Sequence, residues 1–108
     1  MNRQGQVFYK NVYCGLISET DKGYEFCYDL NYLKNAESKA ISLNLPLSEK
    51  TYTNQTLFAF FDGLIPEGWL LDIAEKHWKI NDRDRMGLLL SCCKDCIGAI
   101  SVINYEKL

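Results

Sequence analysis

The chain has 108 residues, which is close to the commonest size of a single domain and enough for one modest hydrophobic core. Hydrophobic residues make up 47% of it and aromatic residues 13%, a composition that argues against intrinsic disorder. The net charge is −2 and no stretch gathers more than a few basic residues, so the basic face that drives direct nucleic-acid binding is missing.

Residues 1–6 are polar, and no later run has the length of a signal-peptide core or a membrane span. The sequence therefore predicts a soluble cytoplasmic protein. The number of cysteines is odd, and without an export signal they are expected to be reduced thiols, mostly buried as small apolar groups. They are Cys14, Cys27, Cys92, Cys93 and Cys96.

The first third of the chain has the pattern of β-strands. Residues 7–11 and 12–17 are rich in β-branched and aromatic side chains, and Gly15 indicates a turn or bulge. Residues 21–23 form a turn signal, after which aromatic residues alternate over 24–28. An antiparallel meander is predicted.

A short helical turn is predicted over residues 29–33. Ile41, Leu43 and Leu45 then alternate with polar residues, which predicts a half-buried strand that Pro46 ends.

The second half has the pattern of helices. Thr53 or Asn54 is predicted to cap a first helix that ends near Gly63, and Pro66 suits the start of a second. The apolar residues of the first are Leu57, Phe58, Phe60, Phe61 and Leu64, and the stripe of the second is Trp69, Leu70, Ile73, Ala74, His77 and Trp78.

Asn81 or Asp82 is predicted to cap a third helix, and a last strand is expected over residues 99–105. The inward stripe of this helix is Met86, Leu89, Leu90 and Cys93. The order predicts one α+β domain over residues 1–108, in which a meander and a closing strand form a small antiparallel sheet packed with about three helices.

Three segments resemble, in the same order, the N-terminal subdomain of HipA-type toxin kinases. Residues 40–47, AISLNLPL, resemble its Ser-Leu-Pro strand motif, and residues 57–69, LFAFFDGLIPEGW, resemble its Phe-Phe-Asp-x-Leu-x-Pro-Glu-Gly motif. Residues 94–100, KDCIGAI, resemble the entry to its last strand. The chain departs from the family at Cys93, where a glycine is usual, and at Lys94, where an arginine is usual.

The resemblance implies an interaction protein and no enzyme. The sequence contains no Gly-rich phosphate loop, no kinase-type lysine strand and no Asp/Asn metal site, and it ends where the module is expected to end. In three-gene versions of such systems this domain is a separate antitoxin, HipS, which binds and neutralises a shortened Ser/Thr kinase toxin, HipT, beside a HipB-like helix-turn-helix protein. The alternative is the structural N-terminal domain of a full-length HipA-like kinase.

The candidate partner-binding site is the corner between the first two predicted helices. Its residues are Asp62, Gly63, Leu64, Ile65, Pro66, Glu67, Gly68 and Trp69. In one interpretation they only cap two helices: Gly63 ends one, Pro66 starts the next, and Asp62 and Glu67 satisfy free amides. In the other, Trp69 is an anchor that inserts into the kinase, since tryptophan is enriched among interface hot spots.

Other chemistry has weaker support. Cys93 and Cys96 form a CxxC pair, which offers two ligands where a structural zinc needs four, and the pair falls at a predicted helix C-terminus. His77, the only histidine, has no recognisable catalytic companions. No metal or cofactor is predicted, and a thiol or metal protein is the least favoured alternative. Arg83 and Arg85 are secondary candidates for contact with acidic groups on the partner.

Overall fold

A computed structural model describes residues 3–65, 84–92 and 99–105, and for residues 91–92 it describes the backbone alone. These residues form five strands and three helices. The strands are β1 (Gln4–Tyr9), β2 (Val12–Thr20), β3 (Gly23–Tyr28), β4 (Tyr52–Asn54) and β5 (Ile100–Asn104). The helices are α1 (Leu30–Lys34), α2 (Ala59–Asp62) and α3 (Arg85–Cys92).

The strands form one sheet in the order β4-β3-β2-β1-β5, and every neighbouring pair is antiparallel. The predicted meander is β1-β2-β3, and the predicted closing strand is β5, which pairs with β1. The predicted α+β class with a small antiparallel sheet is therefore confirmed. No helix in the described part of the chain is long and apolar enough to cross a membrane.

A two-residue turn and a bulge shape the first hairpin. Lys10 and Asn11 both have positive φ, 50° and 69°, as the tight turns that suit twisted strands require, so the predicted strand 7–11 ends two residues early. Val7 pairs with Gly15 but Phe8 pairs with Tyr13, which leaves one extra residue in β2. The predicted bulge is thus confirmed beside Gly15.

The predicted strand at Ile41, Leu43 and Leu45 is wrong. Ser42 and Leu45 form a single isolated bridge, and the Leu45 N–H donates to the Ser42 carbonyl at 3.0 Å, so this segment is a turn. Ile41 and Leu45 are buried, as the alternation predicts, but Leu43 is fully exposed. The turn reverses the chain here, and within the described residues no strand pairs with this segment.

The fourth strand is instead β4, which pairs with β3. Thr53 and Asn54, predicted as helix caps, therefore lie in a strand, and α2 begins only after Phe58. Thr53 and Asn54 lie opposite Glu25 and Tyr24 in the ladder with β3, so this segment is extended and does not begin a helix.

Two aspartates cap the other helices. Asp29 precedes α1 and accepts from the Tyr32 N–H at 3.2 Å, in line with the predicted helical turn. Asp84 precedes α3 and accepts from the Gly87 N–H at 3.1 Å. The predicted caps Asn81 and Asp82 lie outside the described residues.

Helix α3 packs against the sheet beside β5. A Cβ on Gly5 would approach Leu90 Cδ2 and Val102 Cγ1 to 2.8 Å, so the helix comes this close only because Gly5 has no side chain. Met86 and Leu89 of the predicted stripe are fully buried, Leu90 is partly buried, and Cys93 lies outside the described residues.

The core lies between one face of the sheet and the helices and turns that cover it. Its buried residues are Val7, Cys14, Ile17, Phe26, Tyr28, Tyr32, Ile41, Leu45, Leu57, Phe61, Ile65, Met86, Leu88, Leu89, Ile100 and Val102. The predicted second helix, with its stripe from Trp69 to Trp78, lies outside the described residues.

Candidate functional site

The candidate corner begins at the end of α2, where the chain continues in tight turns. The Gly63 N–H donates to the Ala59 carbonyl at 2.9 Å, and the Leu64 N–H donates to the Phe61 carbonyl at 3.1 Å. Gly63 has φ −69° and ψ −14°, an ordinary helical conformation. Gly63 thus closes the helix as predicted, although its conformation is one that any residue adopts.

Apolar side chains fix the corner to the core. Phe61 is fully buried, and its ring lies 5.5 Å from that of Phe26 on β3 and 5.2 Å from that of Phe60. Ile65 is buried as well, and Leu64 packs against the core. The described half of the corner is therefore a rigid continuation of the core.

An ion pair connects the corner to α3. Arg85 Nε donates to Asp62 Oδ1 at 2.5 Å, and both side chains are roughly one-third to two-fifths exposed. The structure thus brings together a residue of the predicted corner and a secondary candidate from the arginine pair. The capping interpretation assigns Asp62 to free amides, whereas the structure pairs its side chain with Arg85.

A second ionic cluster holds the start of α3 against the sheet. The Arg3 guanidinium donates two hydrogen bonds to Glu19, at 2.8 and 2.9 Å, and two to Asp84, at 2.7 and 2.8 Å. Such bidentate pairing is the stronger form of the arginine–carboxylate ion pair. The hydrogen bonds from Arg3 lower the pKa values of Glu19 and Asp84, and those two carboxylates in turn raise the pKa of Arg3.

Asp84 and Arg85, which are adjacent in the sequence, therefore form ion pairs with different parts of the fold. Asp84 contacts the sheet through Arg3, and Arg85 contacts α2 through Asp62. The residue that pairs with Asp84 is 81 positions away in the sequence, and the residue that pairs with Arg85 is 23 positions away. Both ion pairs were missed by the sequence analysis, which considered Arg85 only as a contact for the partner, because the paired residues are far apart in the chain.

Part of the candidate site lies outside the described residues. Pro66, Glu67, Gly68 and Trp69 of the corner belong to this part, as do Arg83, His77, Cys93 and Cys96. Their predicted roles stay predictions.

Tyrosine hydroxyl groups hold the turn that follows α1. The Tyr28 hydroxyl donates to the Leu45 carbonyl and accepts from the Ile41 N–H at 3.1 Å. The Tyr32 hydroxyl donates to the Lys39 carbonyl at 2.5 Å. The two rings are stacked, with their centroids 6.1 Å apart, and burial raises the pKa of Tyr28 to about 12, so its hydroxyl stays protonated at neutral pH.

The described cysteines differ in environment. Cys14 is fully buried, and burial, with a smaller effect of Asp29, raises its pKa to about 12, which disfavours the reactive thiolate. Cys27 is an exposed free thiol. Among the residues that the structure describes, no three His, Cys, Asp or Glu side chains are placed to hold a metal ion.

A comparison with family models identifies the domain. The model of the HipA N-terminal domain matches residues 5–103. This chain belongs to the HipA N-terminal domain family. The match covers all five described strands except the first residue of β1 and the last residue of β5. It also spans the candidate corner.

Two relatives agree with the assignment. A solved structure described as the N-terminal domain of HipA toxin superposes with a TM-score of 0.75 and 29% identity, covering 98% of this chain and 95% of that one. An uncharacterized protein of Haemophilus influenzae (strain ATCC 51907 / DSM 11121 / KW20 / Rd) is 32% identical over 105 residues, 97% of this chain and 94% of its own length. The family model and the solved structure are both described as the N-terminal domain of HipA, which is not the catalytic kinase domain.

Proposed function

We propose that this protein is a HipS-like antitoxin, a single domain of residues 1–108 that binds and neutralises a HipA-like Ser/Thr kinase, HipT, in the cytoplasm. The observation that carries the proposal is that the match to the H. influenzae protein covers 94% of that protein's length. A HipA N-terminal domain that forms nearly a whole protein has to reach a kinase by binding it from outside. The proposed protein is not an enzyme and needs no cofactor.

The proposed kinase contact is the corner from Asp62 to Trp69. Its described half supports this role, because Phe61 and Ile65 are buried and the Asp62–Arg85 pair fixes the end of α2. A rigid base lets an adjoining side chain bind without a large loss of conformational entropy. Trp69 is the proposed anchor, placed either in the nucleotide or substrate cleft of the kinase or on a remote face that holds its lobes inactive.

Arg83 and Arg85 are the proposed secondary contacts. The Arg85 side chain is about one-third exposed while its Nε pairs with Asp62, and its two terminal guanidinium nitrogens, which this pair does not use, are proposed to meet an acidic group on the kinase. A HipB-like helix-turn-helix protein is the proposed third member, and it would supply the basic DNA-binding face that this chain, with a net charge of −2, lacks.

The test is co-expression with a HipA-like kinase that lacks its own N-terminal domain. We expect growth to be restored and the two proteins to purify together, and adding the HipB-like protein should give a ternary complex. Trp69→Ala should stay folded yet weaken kinase binding about thirtyfold or more. Tyr105→Ala, which removes an exposed aromatic residue after β5, is the matched control and should bind normally.

A folded Trp69→Ala variant that binds as tightly as the wild type would refute the anchor. A wild-type protein that neither binds nor inhibits the kinase would refute the antitoxin function.

The second candidate is a structural N-terminal domain within a full-length kinase, which the likeness to the N-terminal domain of HipA toxin favours. The same experiment separates the two, because a structural domain would stabilise or complete the kinase while leaving it toxic.

A further inference from the structure

The outer face of the sheet, which points away from the core, contains little charge. An antiparallel sheet with one face in water commonly has apolar residues on its core side and polar residues on the other. In β1, β2 and β5, as the structure describes them, none of the outward residues is charged. Among the described strands the one outward charge is that of Glu25 on β3, opposite Ser18.

Apolar side chains occupy the centre of this outer face. Phe8 of β1 lies opposite Tyr13 of β2, and their ring centroids are 5.7 Å apart. Leu16 of β2 lies opposite Cys27 of β3, which is exposed. Ile103 of β5 is 37% exposed. The outer face therefore presents a group of uncharged side chains across four strands.

The described helices pack on the other side of the sheet. Helix α2 packs against Phe26, α1 against Tyr28 and α3 against Gly5, and these three strand positions face the core. Within residues 3–65, 84–92 and 99–105, every helix thus lies on the core side. The outer face needs a partner from outside this part of the fold to bury its apolar residues.

The absence of charge near the centre of the outer face favours a second copy of the chain as that partner. A two-fold contact places one surface against itself, and like charges brought together in this way are costly. About an axis between β1 and β2, the two copies of Glu25 are three strand spacings apart, or about 14 Å. This distance exceeds the screening length of about 8 Å in physiological salt, so the two carboxylates repel each other little.

A charged partner surface fits less well. Its charges would lose their solvation against the apolar centre of the outer face and would gain no ion pair there. A second copy instead offers an equally uncharged sheet, and two sheets pack face to face at about 10 Å.

The size of the outer face indicates a reversible contact. Five strands about 4.8 Å apart, with roughly six residues of about 3.3 Å each, span roughly 24 by 20 Å, or roughly 480 Å². A stable interface of standard size buries about 800 Å² on each partner. The dimer is therefore expected to be weak and to depend on protein concentration.

We propose that the outer face is the contact of a reversible homodimer, in which two sheets pack face to face with Phe8, Tyr13 and Leu16 at the centre. This inference goes beyond the proposed function and does not rest on it. The outer face lies on the opposite side of the sheet from α2, where the proposed kinase contact begins.

Sedimentation equilibrium of the full-length protein from about 5 to 500 µM tests the dimer. We expect the wild type to pass from monomer to dimer over this range, and Leu16→Asp to raise the dissociation constant at least about tenfold. Ile103→Asp, at an exposed position on an outer strand, should have the same effect and keeps the test valid if Leu16→Asp unfolds the domain. Leu43→Asp, which changes a fully exposed leucine on the turn at residues 42–45, is the matched control and should dimerise like the wild type.

Alkylation of Cys27 locates the contact without a mutation in it. Cys27 is an exposed thiol on the outer face, so its reaction with N-ethylmaleimide should slow as the wild-type protein is concentrated. Peptide mass spectrometry distinguishes it from the other cysteines. In Leu16→Asp the rate at Cys27 should not change with protein concentration, and Cys14, which is fully buried, should stay protected throughout.

Three results would overturn the inference. The first is a wild-type protein that stays monomeric at about 500 µM, and a loss of kinase binding by the two aspartate variants would then assign the outer face to the kinase. The second is a dimer that neither Leu16→Asp nor Ile103→Asp weakens. The third is a dimer in which Cys27 reacts as fast as in the monomer. A wild-type protein that dimerises in this way but does not bind the kinase would refute the antitoxin function and leave the dimer standing.

Discussion

Asp62, the last residue of α2, pairs with Arg85, the first residue of α3, through an Oδ1–Nε contact of 2.5 Å. The two residues are 23 positions apart, and between them lies the rest of the predicted corner. The pair therefore joins the two ends of the segment that we propose to carry the kinase anchor.

A double-mutant cycle on Asp62→Ala and Arg85→Ala measures this pair. We expect a coupling free energy of about 0.3–1 kcal/mol in urea unfolding, because both side chains are partly exposed and solvent screens their attraction. Raising the salt concentration should shrink the coupling. The same cycle on Asp21→Ala and Arg85→Ala, two described residues that form no ion pair with each other, is the control, and an equal coupling in both cycles would contradict the pairing.

The Arg3 cluster predicts a dependence of stability on pH. Hydrogen bonds from Arg3 lower the folded-state pKa values of Glu19 and Asp84, so they contribute stability above the unfolded values of about 4.3 and 3.9. That contribution is lost as the pH falls through the folded-state values. We expect Arg3→Gln to lower the free energy of unfolding at pH 7 by about 1 kcal/mol, discounted for the partial exposure of the cluster.

The difference in the free energy of unfolding between the wild type and Arg3→Gln should stay constant above about pH 5 and shrink as the pH falls below 4. Urea unfolding at a series of pH values measures it. Lys50→Gln, at an exposed lysine, is the control and should differ little from the wild type at any pH. A difference for Arg3→Gln that persists undiminished at pH 3 would contradict an ionic origin.

The parts of this structure that the sequence predicts are those set by neighbouring residues. Strand alternation located the meander, and the helical turn predicted over residues 29–33 corresponds to α1. At the turn that contains Leu43, the alternation of apolar and polar residues predicts a strand, and Ile41 and Leu45 are indeed buried. What decides its conformation is a pair of hydrogen bonds to the Tyr28 hydroxyl, 13 and 17 residues away.

The candidate site divides in the same way. The extent of the corner follows from a motif, whereas the Asp62–Arg85 pair depends on how α2 and α3 pack. Local periodicity contains no information about such tertiary contacts, so pairing partners within a charged run cannot be chosen from sequence alone.

Replacement by alanine should destabilise the domain at Gly23 and have little effect at Gly63. Gly23 has φ +144°, and a Cβ there would collide with the Asn54 carbonyl, so Gly23→Ala should cost more than about 1 kcal/mol. Gly63 has an ordinary helical φ of −69°, with its nearest prospective Cβ contact at 3.2 Å, so Gly63→Ala should change stability by about 0.5 kcal/mol or less. Thermal unfolding of the two variants checks this, and equal losses would contradict the assigned backbone conformations.

The Tyr28 hydroxyl should contribute measurably to the free energy of unfolding, because it makes two hydrogen bonds to backbone groups. Tyr28→Phe leaves the Leu45 carbonyl and the Ile41 N–H without this partner in a buried setting, where each unsatisfied group is costly. We expect a loss of about 1–3 kcal/mol in urea unfolding. Tyr105→Phe, at a tyrosine that is 38% exposed, is the control and should cost less than about 0.5 kcal/mol.

Hydrogen exchange of the Ile41 amide identifies the cause of that loss. Its N–H donates to the Tyr28 hydroxyl, so it should exchange faster in Tyr28→Phe by more than the change in global stability explains. Amides within β2 should accelerate only as far as global stability falls, because their partners in β1 and β3 are untouched. If exchange of the Ile41 amide and of the β2 amides accelerates to the same degree, the hydroxyl stabilises the domain as a whole and does not specifically hold the turn that contains Leu43.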